Sequence, residues 1–297
     1  MKTVKFYTTK KARIRMMYRE QGNPEKHSLL QKQLKQRLVM CYTISVIASL
    51  YQRIDIPTMH IKTFDYPLIQ IPAGAFTMGT IPTGLRKTDP EEPQRSVQLD
   101  AYAIGTYQVT NAQYAQFIEA TGYAPPEFWS DERFNAPDFP VVGVSWYDAT
   151  HFLEWLGALE DVAYRLPSEA EWEKAARGTD AREYPWGDGW DASRANTSES
   201  GNKRLMPIGS YPSGVSPYGC YDMAGNAYDW CFDWFHMEAY KYSSDENPLG
   251  ASEGRRKVIR GGSWIARGEF AARCANRAAY EPIRGLHNVS FRIAVDL

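Results

Sequence analysis

The alternation of apolar and polar positions changes character near Phe64. Upstream, one apolar run, "LVMCYTISVIASLY" from Leu38 to Tyr51, follows a basic stretch ending at Arg37. Downstream, short apolar segments alternate with Gly/Pro turns and three well-marked helix starts. Thr110 with Gln113, Ser145 with Asp148, and Ser168 with Glu171 each place a hydroxyl at a cap and an acid or amide three residues later. That spacing lets cap and third residue satisfy each other's free backbone N–H groups, so three helices are predicted. The first should run to about Ala120 and stop at Gly122, and the third should stop at Gly178. Strands are predicted in "PLIQIPAGAFTMGT", "RSVQLDAYAIGTYQVT" and "RKVIRGGSW", with "VSFRIAVDL" as a closing strand. From Gly178 to Lys257, about 80 residues read mostly as loop, a length that needs bracing beyond backbone ladders. No period of 20–50 residues repeats, which excludes solenoids and propellers.

At 297 residues the chain can hold one large domain or two ordinary ones. The change of texture divides it into a basic leader, residues 1–63, and a domain, residues 64–297. Of 34 Lys+Arg and 35 Asp+Glu, residues 1–60 hold 12 and 3, leaving an acidic body of 22 and 32. Phosphate neutralisation needs clustered cations, so no nucleic acid is expected on the main domain. The leader could touch RNA or anionic lipid, although a solvated tail is the simpler reading. The run at 38–51 is shorter than the roughly 20 residues a bilayer requires, so no stable membrane span is expected. A cytoplasmic location is expected, with secretion through residues 38–51 left open. A start codon assigned too far upstream would produce the same leader.

Cys41, Cys220, Cys231 and Cys274 form neither a disulfide framework nor a C-x-x-C pair. The five histidines (His27, His60, His151, His236, His287) show no zinc-ligand spacing. Ser263 has no evident His and Asp beside it, so a hydrolase triad is not supported.

Nine blocks then fall in a familiar order: "IPAGAFTMG", "YQVTNAQYAQFI", "PVVGVSWYDATHFLEWL", "YRLPSEAEWEKAARG", "YPWGD", "YGCYDMAGNAYDWCFDW", "VIRGGSW", "RCANR" and "VSFRIAVD". Over roughly Tyr66 to Leu297 the chain resembles the formylglycine-generating enzyme, or sulfatase-modifying factor, family. The resemblance implies an α+β fold, the formylglycine-generating-enzyme-type variant of the C-type lectin fold, with little regular secondary structure. It also implies structural calcium in the long loop. The second family calcium position corresponds to Gly225, Asn226, Ala227 and Asp229, with capped turns as the plainer reading. A weaker first position begins at Asn196 and Thr197.

In the copper-dependent members of the family two cysteines bind Cu(I), which suits soft thiolates. The resemblance places the second at Cys274 and puts Glu269 where the first would stand. A carboxylate beside one thiolate is a poor Cu(I) site, so neither copper nor oxidation of a sulfatase cysteine is expected. An approach of Cys220 or Cys231 in space is the one rescue. Iron, used by the sulfoxide-synthase branch with histidines of another domain, is not expected either, since His27 and His60 lack ligand spacing.

A third branch of the family is non-catalytic and binds ligands, in some members through a C-terminal stretch diversified by retroelements. Here the corresponding cleft, residues 260–292, offers Ser263, Trp264, Arg267, Glu269, Phe270, Arg277, Tyr280 and His287 to a peptide, protein or small-molecule ligand. The first reading is such a binding module. The alternative is an oxidoreductase of the same class acting on a protein cysteine or small thiol, with Cys274 as surviving ligand or nucleophile. Arg273, Arg277 and Arg292 could hold a carboxylate or simply brace loops. Trp264 and His151 are more simply packing residues.

Overall fold

The computed structural model describes residues 66–81 and 89–297. The chain divides into Met1–Thr63 and Phe64–Leu297, and every described element belongs to the second unit. The expectations for the leader, for residues 38–51, and for Cys41, His27 and His60 lie outside the described residues.

The three helices form where the capping pairs put them. They are α1 (Asn111–Thr121), α2 (Trp146–Glu160) and α3 (Glu169–Arg177), and each has both halves of its capping box. Helix α1 ends at Gly122 in the left-handed region, and α3 ends at Gly178, also at positive φ. Two single helical turns come later in the chain, α4 (Ala239–Tyr242) and α5 (Gly268–Ala271). The strand segments break more often than their apolar runs suggest. "PLIQIPAGAFTMGT" becomes β1 (Leu68–Ile71) and β2 (Gly74–Met78), separated at Pro72, which has no N–H for a ladder. The next segment becomes β3 (Arg95–Leu99) and β4 (Tyr102–Gly105). β2 pairs antiparallel with β3, while β1 and β4 join β9 (Ala294–Asp296) in a second sheet of order β1-β4-β9.

The segment expected to be mostly loop contains a strand that its sequence does not announce. β5 (Tyr228–Trp234) is flanked in one sheet by β6 (Lys257–Arg260) and β8 (Val289–Ser290), with β7 (Ala278–Tyr280) beyond β6. The fully buried face of β5 carries Asp229, Cys231 and Asp233 while Phe232 on the other face is exposed, so the apolar-in, polar-out alternation that would signal a half-exposed strand is absent.

Helix α3 is polar by sequence and buried along its whole length. Each of its acids and Arg177 is met by an opposite charge, and Lys174 by backbone carbonyls. Glu171 accepts from both terminal nitrogens of Arg165 at 2.6 Å, and Glu169 takes a bidentate pair from Arg277 at 2.7 Å. Lys174 donates to the carbonyls of Pro72 and Gly74, which fixes the break between β1 and β2. Glu173 accepts from Gly79 N–H and Arg177 and is bonded to Arg260. Buried charges persist only when paired in this way. Around α3 the core gathers Trp172, Met223, Cys220, Cys231 and Cys274. A second cluster joins α1 and α2 to Trp230 and Phe291. No helix among the described residues is long and apolar enough to cross a membrane.

Candidate functional site

After β6 the chain turns on Gly261 and Gly262, both at positive φ. A Cβ on Gly262 would lie 3.0 Å from the Ala271 carbonyl, so the turn sits tight beneath the short helix α5. Helix α5 is pinned from three sides. Both carboxylate oxygens of Glu199 accept from Gly268 N–H at 3.0 Å. Tyr184 donates to the Glu269 carbonyl at 2.7 Å. Gly268 lies so close to the Trp190 ring that an added Cβ would meet it at 2.1 Å. The other helical turn, α4, supplies Tyr240 to the buried charges of α3.

This pinning divides the sequence-predicted pocket residues into two groups. Arg267 and Glu269 point outward and pair at 3.3 Å, and Arg267 lies over the exposed Phe270 ring. Ile265 and Ile283 are exposed with them. The others turn inward. Ser263 is buried and accepts from Asn288 at 3.1 Å. Trp264 packs beside Phe134 and His287, and its N–H points to the His287 carbonyl. Tyr280 is half-buried opposite Lys257 in the β6–β7 register. Arg277 does not belong to an open pocket: its guanidinium is committed to Glu169 and to the carbonyls of Pro90 and His236. Arg273 is likewise paired with Glu91 and Arg292 with Asp229. His151 is bonded to Tyr123, whose hydroxyl also donates to Asp148 at the start of α2.

Cys274 and Glu269 part in the same way. The Cys274 thiol is fully buried, and burial pushes it up to about 12; among nearby charges Arg177 opposes that shift and Glu173 adds to it. Glu269, which the resemblance puts in the partner position, is exposed and pairs with Arg267 instead. Cys220 and Cys231 share the core with Cys274 as free thiols, and burial raises both. No group of three or more His, Cys, Asp or Glu side chains among the described residues is placed to hold a metal ion.

The calcium set is also divided. Asn226, at φ 59°, accepts on its side-chain oxygen from Asn196 and from Met206 N–H, and donates to the Met206 carbonyl. Asn196 accepts from Ser200 and Asn202. These two asparagines tie loop to loop, and Thr197 is buried beside Gly268. Asp229 and the Ala227 carbonyl instead face the Gln108 amide at 3.0 and 2.7 Å. Gln108 Oε1 there is buried without a partner. Burial pushes the nearby Asp222 carboxyl up to about 6, and Asp229 adds to the shift.

Lys257 is a site residue that sequence reasoning misses, since the aromatics of "WCFDW" are its only available signal. Its ammonium lies 4.1 Å over Trp146 and 4.0 Å over Trp234, donates to the Phe232 carbonyl, and is pushed down to about 8 by burial. Because the folded value lies below the unfolded one near 10.4, the stability Lys257 contributes is present above about pH 10.4 and is lost as pH falls through 8. Denaturant titrations should show stability rising from pH 8 to about 10, and Lys257→Met should flatten that rise.

Compared with known proteins, residues 62–297 match the family model described as the Sulfatase-modifying factor enzyme 1-like domain. The chain is 31% identical over 290 residues to the formylglycine-generating enzyme of Bos taurus, covering 77% of this chain and 74% of that one. The structure of PvdO from Pseudomonas aeruginosa aligns with a TM-score of 0.68 at 31% identity, covering 77% of this chain and 94% of that one. Treponema denticola variable protein 1 shares the fold at a TM-score of 0.64 and 22% identity, covering 78% and 95%.

Proposed function

The chain belongs to the sulfatase-modifying factor enzyme 1-like family, and from that membership we propose a ligand-binding module that presents residues 265–283 to a peptide, protein or small molecule. The observation that carries this reading is the opposite facing of Cys274 and Glu269. Two thiolates suit Cu(I), but this chain supplies one, buried and held protonated, while the residue standing in for its partner lies in solvent beside Arg267. This donor set does not fit copper, and no oxidative step is derived through it.

What α5 offers instead is a recognition surface. Arg267 stacked on Phe270, with the exposed Ile265 two residues before it, combines the aromatic, cationic and aliphatic side chains that anchor interfaces. Its backbone is fixed by Glu199, Tyr184 and Trp190, so little ordering is lost when a ligand binds. Calcium belongs to the same proposal as a brace. The residues assigned to such an oxygen-seeking cation are Gly225, Asn226, Ala227 and Asp229, and the unpartnered Gln108 Oε1 lies beside the last two.

Panning the full chain against a displayed random-peptide library tests the reading. Selected peptides should bind at least about tenfold more weakly to Arg267→Glu and Phe270→Ser, while Cys274→Ala binds them unchanged. Stoichiometric Cu(I) uptake that depends on Cys274, with oxygen consumed on a cysteine-containing peptide, would establish the oxidoreductase alternative in its place.

A further inference from the structure

A cavity of about 490 Å³ opens on a part of the domain that shares no lining residue with the 265–287 surface. It lies among the end of β3, the segment leading into α3, the exposed Phe232 of β5, residues 247–249 and the end of β9. Its volume is in the range of small-molecule sites.

One wall is charged. Arg165 is its only cation, and that guanidinium is fully engaged: it donates to both oxygens of Glu171 and to Oδ1 of Asp296. It therefore has little left to offer an anion. The acids are less committed. Asp296 accepts on Oδ1 alone, and Asp100 accepts on Oδ2 alone, from Asn247 at 2.9 Å. Asp100, Glu171 and Asp296 against Arg165 leave two negative charges in excess, with free carboxylate oxygens at the rim. The same lining includes the exposed apolar side chains of Phe232 and Leu249.

We infer that this cavity binds a small organic amine, an ammonium or guanidinium carried on an aromatic or aliphatic body. The cation is held between Asp100 and Asp296, and the body lies against Phe232 and Leu249. An anionic analogue of the same shape meets uncompensated carboxylates and is rejected, since like charges at close range cost more than the apolar contact returns.

The test uses 2-phenylethylamine and its acid counterpart 3-phenylpropionate, each titrated into the full chain and followed by ligand-observed NMR. The amine should bind, weaken as sodium chloride is added, and weaken at least about tenfold in Asp100→Asn and Asp296→Asn, whose side chains are exposed and carry no core packing. The acid should not bind. Absence of amine binding, equal binding of the acid, or indifference to both substitutions would overturn the assignment. So would a lysine-containing peptide that binds here when the free amine does not. Because the two sites share no residue, peptide selection on the α5 surface can fail without affecting this result, and the reverse holds equally.

Discussion

Glu173→Gln should lower the unfolding free energy of the domain by about 3 kcal/mol, the cost expected when one partner of a buried ion pair is removed. Glu173 is completely buried and joins Arg177 of its own helix to three groups from distant parts of the chain. It accepts from Gly79 N–H at 2.8 Å and from Arg177 at 2.9 Å, lies within reach of the Tyr240 hydroxyl at 3.4 Å, and pairs with Arg260. An amide keeps the shape but removes the charge that balances two buried guanidiniums, and its NH2 faces groups that also donate. Arg260 retains Glu169 at 3.4 Å, which is why the loss should stop short of complete unfolding. For a domain of this size the same loss is a fall of roughly 6–12 °C in midpoint. Glu269→Gln provides the contrast: an exposed carboxylate beside an exposed arginine should change stability by less than about 0.5 kcal/mol. Urea titrations of the two variants give the comparison directly, and equal effects would mean that the buried network is not what holds α3.

Asp229→Asn should cost about 3–5 kcal/mol, because Asp229 receives three donors and has none to give. Oδ2 accepts from Trp172 Nε1 and Arg292 Nε, both at 2.8 Å, and Oδ1 accepts from Gln108 at 3.0 Å. An asparagine must turn its NH2 toward one of those donors whichever way it is placed. The substitution also reports on the calcium brace. Millimolar calcium should raise the thermal midpoint of the unaltered chain over that in chelator, since a ligand bound only by the folded state stabilises it. In Asp229→Asn that difference should disappear. A midpoint of the unaltered chain that ignores calcium would remove the ion from the proposal and leave the three-donor argument intact.

Much of the fold is legible in the sequence because its helix starts are local. A capping box is complete within four residues, and all three form where their hydroxyls stand. β5 is not legible because its fully buried face carries Asp229, Cys231 and Asp233 while Phe232 is exposed, which inverts the usual apolar-in, polar-out alternation. The site is legible only for outward-facing side chains. Arg267, Glu269 and Phe270 lie on the surface as a recognition stretch requires. Arg277 reads as one of them because an isolated arginine reads as exposed, and its partner Glu169 lies 108 residues away. The left-handed backbone at Asn226 and the bonds of its side chain to Met206 and Asn196 are tertiary features that the segment does not announce.

The contact of Gly268 with Trp190 bears on how this surface could change over generations. It separates position from identity. The backbone of α5 is held by Gly268, Glu199 and Tyr184, none of which need touch a ligand, so the exposed side chains at 265, 267, 269 and 270 carry little duty to the core. Selection, or an engineer, could rewrite those four positions together while the platform beneath stays the same, provided residue 268 remains glycine.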